Sequence, residues 1–130
     1  MWFVHVRPIE KRDIVFVAYI LNNFGNMQTI NNYQELLKAI ESNDVCLIKI
    51  GTTWCGPCKL TQSNMEELEK TNPDVCFINV DADSSDDAII EHFHVMSVPV
   101  TIVTKNGEVV SREIGLQTVH QLKERINQKL

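Results

Sequence analysis

The chain alternates short, wholly apolar runs with stretches in which apolar residues recur every three or four positions. In residues 32–40, Tyr33, Leu36, Leu37 and Ile40 keep helical spacing. Asn31 or Asn32 can cap the start, because a side-chain oxygen there accepts from a first-turn N–H that has no partner within the helix. Ser42, Asn43 and Asp44 end this helix. VCLIKI, residues 45–50, is a short apolar run of the kind that forms a strand covered on both faces. Beyond Cys58, the residues Leu60, Met65 and Leu68 mark a second helix with Glu66, Glu67 and Glu69 on its outer face, and TNPD breaks it. VCFINV, residues 75–80, is a second buried strand, and DADSSDD supplies loop and capping residues. Ala88, Ile89 and Phe93 then indicate a third helix. VPVTIV, residues 98–103, reads as a strand, Lys105-Asn106-Gly107 as a hairpin turn, and EVVSREI as the strand that pairs back. Gly115 punctuates the end of the hairpin. Val119, Leu122, Ile126 and Leu130 form the apolar stripe of a last helix.

The order from residue 32 is helix, strand, helix, strand, helix, strand, strand, helix. Such alternation predicts an α/β domain with a parallel sheet core, to which the hairpin adds an antiparallel edge. Strands that are apolar throughout need cover on both faces, so helices are expected on each side. There are no internal repeats and no low-complexity tracts. Residues 1–26 stand outside this scheme. WFVHV and IVFVAYIL are strand-like in composition, and the expected organisation is an amino-terminal appendage, 1–26, of unassigned role followed by one domain, 27–130.

Composition narrows the function. A chain of 130 residues that is 44% apolar can bury a sizeable single core. Its formal net charge is −5, and its most basic run, RPIEKR, is interrupted by Glu10. Nucleic acid is therefore not an expected partner, since phosphate binding needs a basic patch. Nor is a membrane: the most apolar stretch, IVFVAYIL, falls well short of the roughly 20 residues a spanning helix needs. Glu10 and Asp13 dilute the charge ahead of that run, and NNFGNM is a poor cleavage site for a secretory leader. The expected location is the cytoplasm.

Four cysteines remain to be placed. Cys46 and Cys76 lie inside apolar runs, where cysteine behaves as a small hydrophobe; a regulatory role would require exposure. Cys55 and Cys58 sit together in GTTWCGPCKL, directly after a predicted strand and at the head of a predicted helix. A zinc site would need a second half, another C-x-x-C or a His pair at metal spacing. Of its four histidines only His92 and His94 lie close together, two apart and so on different faces of a helix, and no metal is expected. An inert staple is weak, because bridging such close residues removes little chain entropy. Thiol–disulfide exchange fits better. Unpaired N–H groups at a helix start favour a thiolate at Cys55, and the thiolate is the species that attacks a disulfide. Gly56 removes bulk beside the sulfur, Pro57 is at home in a first helical turn, Lys59 adds a positive charge, and Trp54 can form an apolar wall.

WCGPCK, residues 54–59, resembles the active-site motif of the thioredoxin family. SVPVTIV, KNGEVV and the isolated Gly115 resemble further landmarks of that family in order and spacing, over 27–130. The resemblance implies a thioredoxin-like three-layer fold, a mixed central sheet between two helical layers. It implies Cys55 as nucleophile and Cys58 as resolving thiol, a cis peptide before Pro99, and Val98, Pro99 and Gly115 as part of the surface that holds an extended substrate segment beside Trp54, Gly56 and Pro57. It implies no tightly bound cofactor beyond the redox-active Cys55–Cys58 pair. Expected partners are disulfide-containing proteins and a thioredoxin-reductase-type recharging enzyme.

Four features depart from the family pattern. Where a buried aspartate is usual, six residues before the first cysteine, this chain has Lys49. A buried Lys49 could serve as a neutral base, could stabilise the thiolates by its charge, or could snorkel to water and do neither. Phe77 stands where a lysine commonly pairs with that aspartate. Ser63 replaces a helix-kinking proline, which predicts a straighter helix. Gly51 and Thr52 replace an aromatic-rich approach. The reading is a thiol–disulfide oxidoreductase that reduces protein disulfides. The alternatives are a binding or accessory subunit on the same fold, or an oxidase or isomerase, depending on reduction potential.

Overall fold

The computed structural model describes Glu10, Lys11, Arg12, Ile14 and residues 27–128. WFVHV, the rest of IVFVAYIL and Leu130 lie outside these residues. Ile14 itself sits in a helical turn, its N–H donating to Glu10 O at 3.2 Å, rather than in a strand.

The elements are β1 (Gln28–Thr29), α1 (Tyr33–Ser42), β2 (Val45–Gly51), α2 (Gly56–Glu69), β3 (Val75–Asp81), α3 (Asp87–His92), β4 (Val100–Lys105), β5 (Glu108–Ile114) and α4 (Val119–Asn127). The strands form one sheet in the order β1-β3-β2-β4-β5. β1, β3 and β2 run parallel, whereas β4 joins β2 antiparallel and β5 joins β4 antiparallel. The antiparallel part thus begins one strand earlier than the hairpin alone predicts. Apolar patterning says that β4 is buried, and it carries no information on which way the strand points.

Alternation along each strand sorts the core into two layers. Cys46, Ile48, Ile50, Ile78, Val80, Val100 and Ile102 face Leu36 and Ile40 of α1 and Ile89 and Phe93 at α3. Leu47, Phe77 and Val103 face Met65 and Leu68 of α2 and Leu122 and Ile126 of α4. The three-layer α/β architecture is therefore as expected. Each fully buried aliphatic side chain contributes about 1.5–3 kcal/mol, so these layers hold the sheet rigid beneath the reactive loop.

Local signals fix the ends. Asn32 caps α1 by accepting from Glu35 N at 3.0 Å, while Asn31 is used elsewhere, accepting from Asp81 N at 2.9 Å. Asn106 and Gly107 both have positive φ, 52° and 85°, as a two-residue hairpin turn of the primed type requires. The buried side of α2 is Cys58, Thr61, Met65 and Leu68, and Leu60 is exposed, contrary to the sequence reading. The apolar spacing was met by the wrong residue: Thr61, with its hydroxyl accepting from Gln117 N at 3.4 Å, takes the inward place. α2 runs unbroken through Ser63.

Candidate active site

β2 ends at Gly51 and α2 begins at Gly56, so the parallel strand delivers the Trp54–Cys55 pair to the head of a helix. Cys55 is the N-cap of α2 and has extended backbone, and its Sγ accepts from Cys58 N at 3.2 Å. Pro57 lies in the first turn, where its missing N–H leaves nothing unpaired. Cys55 and Cys58 are joined as a disulfide, with Cα atoms 5.2 Å apart. The two sulfurs differ in access. Cys55 is 8% exposed and is flanked by exposed Trp54, Gly56 and Pro57, whereas Cys58 is 0% exposed.

The register of the sheet brings the remaining landmarks to the same end. Ile50 pairs with Val100, and Val100 with Ile114. Gly51, Pro99 and Gly115, the next residues outward, therefore sit side by side at the ends of β2, β4 and β5. The Val98–Pro99 peptide is cis, and the strand begins at Val100 rather than at Val98. Gly115 has φ 97° and donates its N–H to Pro99 O at 2.8 Å. Lys59 is exposed on α2, with its backbone N donating to Cys55 O at 3.2 Å.

Lys49 does not snorkel. It is 3% exposed, and its Nζ turns beneath α2 to donate to Gln62 Oε1 at 2.7 Å and to Cys58 O at 3.4 Å. Burial pushes its pKa below the ordinary value of 10.5, and the carboxylates of Glu66 and Asp81 oppose that shift. Its neighbours across the sheet are Asn79 and Thr101. Phe77 instead lies opposite Leu47, two pairs along the ladder, within the apolar layer.

Three residues have roles at the site that the sequence reading does not give them. Gly51 borders Cys58 so closely that a Cβ there would stand 2.8 Å from Cys58 Sγ. Gln62 is the acceptor for Lys49. Asp83, in the DADSSDD loop, accepts from Trp54 Nε1 at 2.9 Å and sets the 72% exposed indole against the loop. The acidic loop after β3 is a visible signal, but its hydrogen bond to Trp54 is purely tertiary.

Cys46 and Cys76 are in-register neighbours on β2 and β3, both buried in the core. The Cys76 side chain and burial together push the Cys46 thiol well above its ordinary value, which keeps it protonated and unreactive. His92 and His94 do not share a helix: α3 ends at His92, which contacts Tyr33 OH at 3.1 Å, and His94 has φ 51°.

A paired dithiol at a helix N-terminus, one sulfur reachable and the other sealed, is a thiol–disulfide exchange centre. The Thioredoxin family model matches residues 26–128. Mitochondrial thioredoxin-3 of Saccharomyces cerevisiae is 32% identical over 94 residues, covering 72% of this chain and 73% of that protein. Thioredoxin of Bacillus subtilis is 30% identical over 105 residues, covering 80% of this chain and 100% of that protein. The crystal structure of the oxidised yeast mitochondrial thioredoxin 3 superposes with a TM-score of 0.71 at 31% identity, covering 80% of this chain and 96% of that one. The chain belongs to the thioredoxin family. It is a thiol–disulfide oxidoreductase that reduces protein disulfides through Cys55 and Cys58. Family membership brings disulfide-containing substrates and a reductase-type recharging partner in general.

Proposed function

We propose that Cys55 is the attacking sulfur and Cys58 the resolving one. The observation that carries this assignment is their unequal access, together with the Cys58 N–H aimed at Cys55 Sγ. That donor and the helix N-terminus favour negative charge on Cys55 in the reduced protein. The Cys55 thiolate attacks a substrate disulfide: a Cys55–substrate bond forms, the substrate bond breaks, and the first substrate sulfur leaves as a thiolate. Cys58 then attacks Cys55 Sγ, forming the intramolecular disulfide and releasing the second substrate sulfur. Two electrons pass from the dithiol to the substrate.

An extended substrate segment lies across Trp54, Gly56 and Pro57 on one side and Val98, Pro99 and Gly115 on the other, with Val98 offering its backbone for hydrogen bonding. Lys59 adds positive charge to the rim. A thioredoxin-reductase-type enzyme fed by a nicotinamide cofactor restores the dithiol, and the chain works without a tightly bound cofactor of its own. It acts in the cytoplasm, a reading supported by Glu10 and Asp13 within the otherwise leader-like amino-terminal stretch; fractionation of cells checks this, and recovery of the chain in an organelle overturns it.

The test of the central assignment is reduction of insulin disulfides by a small dithiol, followed as turbidity. Wild type accelerates it, Cys55→Ser falls to background, and Cys58→Ser traps a mixed disulfide through Cys55. Normal turnover by Cys55→Ser overturns the assignment.

A further inference from the structure

Lys49 and Arg125 are two buried cations on the sheet face that carries α2 and α4, and both hydrogen-bond to neutral acceptors. Lys49 donates to Gln62 Oε1 and Cys58 O. Arg125 donates to Ser111 Oγ, to Thr101 Oγ1 and to Thr101 O. Thr101 is the cross-strand neighbour of Lys49, so the two positive groups flank one residue. Buried positive charge without a bonded counter-ion costs solvation free energy. It recovers part of that cost wherever a negative charge forms nearby. The reaction creates one in this place. Cys58 Sγ and the Lys49 side chain border the same gap at Gly51, where an added Cβ would lie 2.8 Å from Cys58 Sγ and 3.4 Å from Lys49 Cε.

We propose that Lys49 is a positioning residue for the resolving step: its ammonium, held on Gln62 and on the carbonyl of Cys58, stabilises the Cys58 thiolate that attacks Cys55. This rests on Cys58 being the resolving sulfur. The ammonium takes no proton. Cys58 loses its proton to solvent, attacks Cys55 Sγ as the thiolate, and the departing substrate thiolate takes a proton from solvent, so charge and electrons balance. Both partners of Nζ are acceptors, so they hold the ammonium in place beside Cys58, and the Lys49→Arg variant separates this role from that of a neutral base. Gln62 is itself oriented by donating from Nε2 to Glu66 Oε1 at 3.4 Å, and both line an open cavity of about 300 Å³ with Thr29 and Asn79. The charged groups acting on Lys49 are Glu66 on α2 and Asp81 at the end of β3, which favour the ammonium, while Arg125 on α4 bonds to Thr101, the cross-strand neighbour of Lys49.

The experiment isolates Cys58 in a Cys55→Ser background and follows its alkylation rate against pH. Lys49→Met, similar in length and uncharged, is expected to raise the Cys58 pKa by about one to three pH units, the range for a nearby unit charge. It is also expected to make a trapped Cys55 mixed disulfide resolve at least several-fold more slowly. Lys49→Arg, charged but unable to act as a base, keeps Cys58 near its wild-type pKa. Gln62→Glu, on the half-exposed side of α2, places a carboxylate against the ammonium and raises the Cys58 pKa without removing any core group, so it serves if Lys49→Met does not fold. An unchanged Cys58 in Lys49→Met or Gln62→Glu overturns the proposal, as does Lys49→Arg behaving like Lys49→Met, which marks Lys49 as a base. Activity of the unmutated cysteine pair is scored separately by the insulin assay, so failure here leaves the assignment of Cys55 and Cys58 intact.

Discussion

At position 51 the close approach of Cys58 leaves room for hydrogen only. A Cβ there would meet Cys58 Sγ at 2.8 Å and Cys58 Cβ at 3.0 Å, both held in the first turn of α2 and unable to move aside as a flexible chain end would. Gly51→Ala is expected to cost about 1–3 kcal/mol, as overpacking of a filled core does, read as a lower urea midpoint of the oxidised protein; an unchanged midpoint contradicts it. Gly115 is the opposite case. Nothing lies within 4 Å of its missing Cβ, but its φ of 97° suits only glycine. Gly115→Ala is therefore expected to lose on the order of 1–3 kcal/mol through backbone strain, with no steric contribution. Cys46 gives a pH dependence. Its folded pKa is raised above 9.0, so above that pH the unfolded chain releases the proton while the folded one keeps it. The stabilisation is complete below pH 9.0 and declines as pH rises. The stability difference between wild type and Cys46→Val should shrink from about pH 9 upward in urea titrations, and a flat difference contradicts the assignment. Lys49, whose folded pKa is lowered, acts with the opposite sign in the alkaline range, which is why the difference and not the absolute stability is the quantity to follow.

Among the elements, α4 shows how a local sequence signal becomes a tertiary anchor. Thr118 accepts from Gln121 N at 3.1 Å, and Gln121 Oε1 accepts from Thr118 N at 2.9 Å, closing a reciprocal cap. Thr118→Ala should cost about 1 kcal/mol, visible as a lower thermal midpoint, and Thr118→Ser should restore most of it. A full effect in Thr118→Ser would point to packing of the methyl group instead. The elements that sequence reading placed well are those whose signal is local or covalent. β2 and β3 declare themselves by unbroken apolar runs, and the hairpin by Asn106-Gly107. The cysteine pair, Pro99 and Gly115 declare themselves by their spacing along the chain. What stayed hidden depends on neighbours distant in sequence. β1, Gln28–Thr29, is too short and polar to show a period, and exists because Ile30 N and Asn79 O, 2.9 Å apart, close its register with β3. Thr61 was passed over for Leu60 because a threonine turned inward looks polar until its partner Gln117 is known. Gln62 carries no local mark at all and Asp83 only that of its acidic loop; each matters only through the side chain that reaches it, Lys49 or Trp54.

For the whole molecule, the question is where the domain begins. The sheet starts at Gln28 on its β1 edge, Ile30 is buried against the α1 side of the core, and among the described residues both helical layers lie within 27–128. Every group argued to touch a substrate lies between Trp54 and Gly115. The family match covers almost the same span, 26–128. A chain started at Met27 should therefore unfold in one cooperative transition and reduce insulin at the rate of the full chain. A partner that depends on residues 1–26 would lose affinity for the shortened protein while its thiol chemistry stays intact. If the shortened chain instead aggregates, or if its cysteines keep their reactivity but its unfolding midpoint collapses, the amino-terminal residues cover part of the apolar surface and belong to the domain. Comparing the denaturation midpoint with the insulin rate decides this, since a separate appendage leaves both unchanged and an integral segment lowers the first even where the second survives.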